Sequence, residues 1–128
     1  MTFTHPVLVR WSDIDSYDHV NNVRYFDYLQ EARIAFLSEV LGTTGDLFAE
    51  HPCVLVSQTV DYLRPILLRH PPYDVDVWVD SIGTTSYMLG SWIVRIMSWP
   101  RLLLRARMHG TGLARIEEHA RRRRGPEI

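Results

Sequence analysis

Between residues 25 and 40 the apolar positions recur at intervals of three and four. Tyr25, Leu29, Ala32, Phe36 and Val40 share one face of a helix, while Asp27, Glu31 and Glu39 fall elsewhere. Asn21 or Asn22 is a candidate N-cap, because an amide oxygen there accepts from the unpaired N–H groups of a first turn. Gly42 is placed to end the helix in the left-handed region. The spacing therefore predicts a helix from about Asn22 to Leu41 with its apolar face in the core.

Beyond a turn region rich in Gly, Thr and Asp, from Gly42 to Pro52, the period changes to two. Cys53 to Arg64 carries Val54, Val56 and Val60 on alternating positions, and Pro65 ends or edges that strand. Tyr73, Val75, Val77 and Val79 alternate with Asp74, Asp76, Trp78 and Asp80, the pattern of a half-exposed strand. Gly83 to Ser86 forms a turn, and Tyr87 to Trp99 is long, apolar and β-rich, with Gly90 expected to mark a bulge. Leu102 to Met108 and Leu113 to Ile116 complete the set, broken by Gly110 and Gly112, and Val7 to Trp11 supplies a first strand. One strand, a long helix and then strands joined by short turns predict an α+β fold, an antiparallel sheet with the helix on its concave face. Such a sheet leaves an edge strand and an outer surface, so a homodimer is expected.

At 128 residues the chain is expected to be one domain, 1–128, with flexibility confined to a basic tail at about 117–128. A hydrophobic fraction of 46% and a charged fraction of 23% are those of an ordinary globular protein. No apolar run approaches a membrane span and no secretory signal opens the chain, so a cytoplasmic enzyme or binding domain is expected, with no membrane partner. Cys53 is the single cysteine and sits in an apolar run, which suits a buried structural thiol rather than a disulfide or zinc site. Charge is uneven: residues 1–98 hold six Arg against twelve acids, residues 99–128 eight Arg against three Glu. Arg121 to Arg124 could attract an anion, but a solvated terminus is the commoner meaning of such a run, and no nucleic-acid motif accompanies it. The absence of lysine excludes a Schiff base and a phosphate loop of the Gly-Lys type.

The chemistry-bearing segment is Trp11-Ser12-Asp13-Ile14-Asp15-Ser16-Tyr17-Asp18-His19-Val20-Asn21-Asn22, which gathers three carboxylates, an imidazole and two amides ahead of the helix. A helix N-terminus concentrates N–H groups and partial positive charge and so stabilises an oxyanion. A carboxylate beside it makes an acid/base or nucleophilic site. In an extended segment Asp13 and Asp15 share a face and Ile14 takes the other. For an arbitrary Asp-x-Asp the commoner reading is a pair of solvated loop acids with one as a cap, and spacing alone does not overturn it.

The run Val9-Arg10-Trp11 through Asn22-Val23-Arg24-Tyr25, followed by Leu29-Gln30-Glu31-Ala32-Arg33, resembles the hotdog-fold acyl-CoA thioesterases of the 4-hydroxybenzoyl-CoA thioesterase-like group. Within it the chain looks most like the long-chain acyl-CoA type and the plant acyl-ACP thioesterases. Tyr62-Leu63-Arg64-Pro65 and Ser81-Ile82-Gly83-Thr84-Thr85-Ser86-Tyr87 resemble weaker family signals, and the order of elements agrees over nearly the whole chain. The resemblance implies a hotdog fold: a curved antiparallel sheet of about five strands around one central helix. It implies a homodimer, often paired into a homotetramer, with an acyl-CoA or acyl-ACP substrate in a groove between subunits and neither cofactor nor metal. The family's catalytic carboxylate falls on Asp15, which would activate water as a general base or attack the thioester itself. The amides of Val20, Asn21, Asn22 and Val23 would hold the oxyanion, and the thiolate would leave with little acid help. Asp13 would be structural, bonding loop amides.

Where acyl-ACP relatives carry an Asn two residues before the His, this chain has Tyr17, which breaks an Asp-Asn-His assembly. His19 is then either a group positioning Asp15 or substrate, or a structural histidine. The candidate substrate contacts are Tyr17, Tyr25, Tyr62, Arg64, Ser86 and Tyr87, although strand packing accounts for the later ones equally well. Arg64 and the Arg121 to Arg124 run are the candidates for coenzyme phosphates.

Three rival readings remain. A non-catalytic hotdog protein would bind an acyl thioester or carrier protein without hydrolysis. A hotdog dehydratase or hydratase would use His19 with an acid at the substrate's C2 and C3. A metal site would need Asp13, Asp15 and His19, an incomplete ligand set.

Overall fold

The structure, a computed structural model, describes residues 3–15, 20–21, 23–43, 45–63, 73–94 and 102–122. Strands β1 (Phe3–Val7), β2 (Cys53–Tyr62), β3 (Tyr73–Ile82), β4 (Ser86–Val94) and β5 (Leu102–Gly110) make one antiparallel sheet in the order β1-β3-β4-β5-β2. The sheet curves around helix α1 (Arg24–Leu41), and the short α2 (Leu47–Glu50) and α3 (Leu113–Arg122) complete the elements. This is the expected α+β arrangement. No helix among the described residues is long and apolar enough to cross a membrane.

The apolar stripe of α1 is wider than a strict three-four repeat. Tyr25, Tyr28, Leu29, Ala32, Phe36, Leu37 and Leu41 are all buried. They meet the inner face of the sheet, where Val75 and Val77 of β3, Tyr87, Leu89 and Ile93 of β4, and Leu104, Ala106 and Met108 of β5 stand. The helix begins at Arg24, two residues later than expected. The N-cap is Val23, without a side-chain cap bond, and Asn21 instead closes the turn before it, its Oδ1 accepting from the Val23 N–H at 3.1 Å and its carbonyl from the Arg24 N–H at 2.8 Å. At the other end Gly42 takes φ 65°. Its N–H and that of Thr43 return to the carbonyls of Glu39 and Ser38, a Schellman closure that satisfies the last turn.

Three strand expectations are corrected. The first strand lies at Phe3–Val7, not Val7–Trp11, because Trp11–Asp13 coils into a 3-10 turn. In β2 the register shifts between Leu55 and Ser57. A one-residue shift reverses the side-chain phase, so Cys53 and Leu55 face inward on one side of it and Gln58, Val60 and Tyr62 on the other. Val54 and Val56, expected to share a face with Val60, are instead exposed. Leu113 to Ile116, expected as a strand, opens α3: the Gly112 carbonyl accepts from the N–H groups of Arg115 and Ile116, and helix continues to Arg122. Four residues with apolar ends satisfy a helical spacing as readily as a β one. Residues 117–122 of the expected flexible tail are therefore helical, with Glu117–Arg121 and Glu118–Arg122 ion pairs along the surface, while Arg123 and Arg124 lie outside the described residues.

Gly90 has a different purpose from the one expected. Pairing with β3 is continuous there, and the irregularity falls between Val79 and Ser81 on the partner strand. Gly90 stands opposite Trp78, and a Cβ added to it would overlap the indole. The missing side chain lets Trp78 lie on the sheet, edge-to-face with Trp92 at 5.2 Å between ring centroids. Of the strand expected over Tyr87 to Trp99, β4 accounts for residues up to Val94, and 95–99 lie outside the described residues.

Candidate active site at the mouth of the long helix

The 3-10 turn at Trp11–Asp13 rotates Asp13 into the core, where its residue is 2% exposed. The carboxylate is fully engaged by side chains from two elements. The Tyr28 hydroxyl donates to it at 2.5 Å, Arg10 donates through Nε at 3.2 Å and through a second nitrogen at 3.3 Å, and Arg24 stands at 3.8 Å. Burial pushes the Asp13 carboxyl up, but the Tyr28 and Arg10 hydrogen bonds outweigh it and hold the group below the ordinary aspartate value. Tyr28 shifts the other way: burial first, then the adjacent carboxylate, keeps its phenol protonated well into the alkaline range. Asp13 is thus structural, as expected, but through side-chain donors rather than loop amides. Its oxygens accept from Tyr28 and Arg10; no cluster of three or more His, Cys, Asp or Glu suited to a metal occurs among the described residues, which do not include His19.

Asp15 follows two residues later in a different environment. Ile14 and Val20 form an isolated antiparallel bridge, and the Asn21 N–H donates to the Asp13 carbonyl at 2.8 Å, so residues 13–14 and 20–21 are held side by side. Asp15 sits half-buried directly after the bridge residue Ile14, ahead of α1 in sequence. The extended alternation expected to put Asp13 and Asp15 on one face does not apply, because Asp13 belongs to the 3-10 turn.

The expected oxyanion amides are also partly corrected. The Asn21 and Val23 N–H groups are spent inside the loop, on the Asp13 carbonyl and the Asn21 side chain. The Val20 N–H has no acceptor among the described residues. Asn22, His19 and Tyr17 lie outside the described residues, as does Arg64.

The structure brings Tyr25 and Tyr62 together. Tyr25 is buried in the first turn of α1, Tyr62 ends β2 half-exposed, and their rings are 5.3 Å apart at a 38° tilt. Ser86 and Tyr87 belong to the far end of the same sheet. Tyr87 pairs with Met108, whereas Tyr62 pairs with Leu102 at the other end of β5. Ser86 accepts the Gly83 N–H at 2.8 Å through its carbonyl and so closes the β3–β4 turn. Sequence reasoning missed Arg10, Tyr28 and Arg24 as the groups holding Asp13. Arg10 was within reach as a residue three before an acid, but Tyr28 is fifteen residues away and only the docked helix brings it near.

A family model described as the thioesterase-like superfamily matches residues 9–119. The uncharacterized protein YsmA of Bacillus subtilis (strain 168) is 31% identical over 94 residues, which cover 69% of this chain and 58% of that protein. The chain thus spans less than two thirds of that relative's length. Among solved structures, a thioesterase from Thermus thermophilus complexed with coenzyme A and Zn is similar at 27% identity and TM-score 0.72, covering 83% of this chain and 81% of that one. The PA2801 protein of Pseudomonas aeruginosa is similar at 31% identity and TM-score 0.71, covering 87% and 85%. The SAV2348 protein of Staphylococcus aureus, in complex with CoA, is 13% identical yet reaches TM-score 0.83 over 100% of this chain and 88% of its own, a likeness of fold. The curved sheet around one helix is the hotdog fold of these thioesterase structures.

Proposed function

The chain belongs to the thioesterase-like superfamily, and on that premise we propose that it hydrolyses an acyl-CoA thioester to a free carboxylic acid and coenzyme A. The observation that carries this reading is the position of Asp15, half-buried two residues beyond the buried Asp13 in the stretch that leads into α1. Asp13 ties its segment to α1 through Tyr28, and Asp15 follows directly after the bridge residue Ile14. Two relatives of known structure hold coenzyme A, one of them named a thioesterase, which supports a CoA thioester over other esters.

In this reading the thioester carbonyl lies against the Val20 N–H and the first turn of α1, whose positive end favours the oxyanion. Asp15 either takes the proton of an attacking water or attacks the carbonyl carbon itself, forming an anhydride that water then cleaves. Both routes need its carboxylate. Collapse of the tetrahedral intermediate breaks the C–S bond, and the thiolate takes up the released proton. Tyr25 and Tyr62 flank the same end of the helix and line the approach.

The acting unit is a homodimer. β2 is an edge strand of the sheet, and Val54, Leu55, Val56, Tyr62 and Leu63 are exposed along it and just beyond, a combination that a second copy would cover by continuing the sheet.

The test is thiol release from short, long and aromatic acyl-CoAs by the wild type and Asp15→Asn side by side. The variant should lose about 10²- to 10⁴-fold in kcat while keeping its fold and dimer. Retention of most activity by Asp15→Asn, or no turnover of any thioester by the wild type, overturns the assignment.

A further inference from the structure

We draw no further inference here: the strongest candidate, the open hollow of about 390 Å³ where the β3–β4 turn at Thr84 and Thr85 meets Val54 of β2 and His109 of β5, is walled mainly by apolar atoms, and nothing in the structure shows what covers it.

Discussion

The Tyr28 hydroxyl donates to the Asp13 carboxylate at 2.5 Å, joining the second turn of α1 to the loop that carries Asp15. Because Asp13 is 2% exposed, the bond works in a poorly solvated setting, where losing a donor is not made good by water. Tyr28→Phe should therefore destabilise the fold by about 1.5–3 kcal/mol. Asp13→Ala should cost more, about 3–5 kcal/mol, since it strands the partners of a buried charge. Both should lower activity by loosening Asp15. Chemical denaturation with parallel rate measurements checks this, and a Tyr28→Phe variant as stable as the wild type would deny the anchor its role.

The same pair sets the pH limits. Asp13 titrates below its ordinary 3.8 when folded, so its contribution to stability is complete above that value and is lost as pH falls through the folded one. Tyr28→Phe removes a donor that lowers the carboxyl, so its acid unfolding should begin at higher pH than in the wild type. At the alkaline edge Tyr28 and Tyr87 are both raised above 10.0, Tyr87 to about 12 through burial. Stability should be intact below pH 10 on their account and fall as pH climbs through the folded values, with phenolate absorbance appearing together with unfolding.

Gly90 should not accept even a methyl group. Alanine there meets the Trp78 indole and disturbs its edge-to-face contact with Trp92, at about 1–3 kcal/mol. A smaller residue at position 78 should recover much of that loss. Thermal unfolding of Gly90→Ala, Trp78→Leu and the double variant measures the coupling, and strict additivity would contradict direct contact.

Val56 lies on the exposed edge strand, 57% exposed, so Val56→Asp should leave the protomer folded. In the proposed dimer, two like charges near a two-fold strand pairing should raise the dissociation constant by about tenfold or more. Sedimentation at several concentrations, together with activity, tests this. A variant as dimeric as the wild type would move the subunit contact off β2.

The helix and its end were legible in sequence because they rest on local rules. The stripe from Tyr25 to Phe36 and the left-handed Gly42 need nothing beyond 3.6-residue geometry and a residue without Cβ. The β3 alternation from Tyr73 to Val79 was legible for the same reason, with Trp78 the one buried exception on its outer face. The segment around Asp15 drew attention through its resemblance to a known family, and it lies within residues 9–119, which that superfamily's model matches.

What only the tertiary structure decided depends on partners distant in sequence. The phase of β2 turns on a register shift fixed by pairing with β5, which reverses Val54 and Val56 relative to Val60. The buried setting of Asp13 depends on Tyr28, and the surroundings of Arg33 depend on Cys53 and Leu55 from β2 and Met108 from β5. Leu113 to Ile116 became helix because Ile116 finds the core and Arg115 reaches the carbonyl end of α1 at Leu41. Periodicity states which side of an element is apolar. It does not state which other element will cover that side, and the electrostatic environment of each acid and arginine is set by that cover.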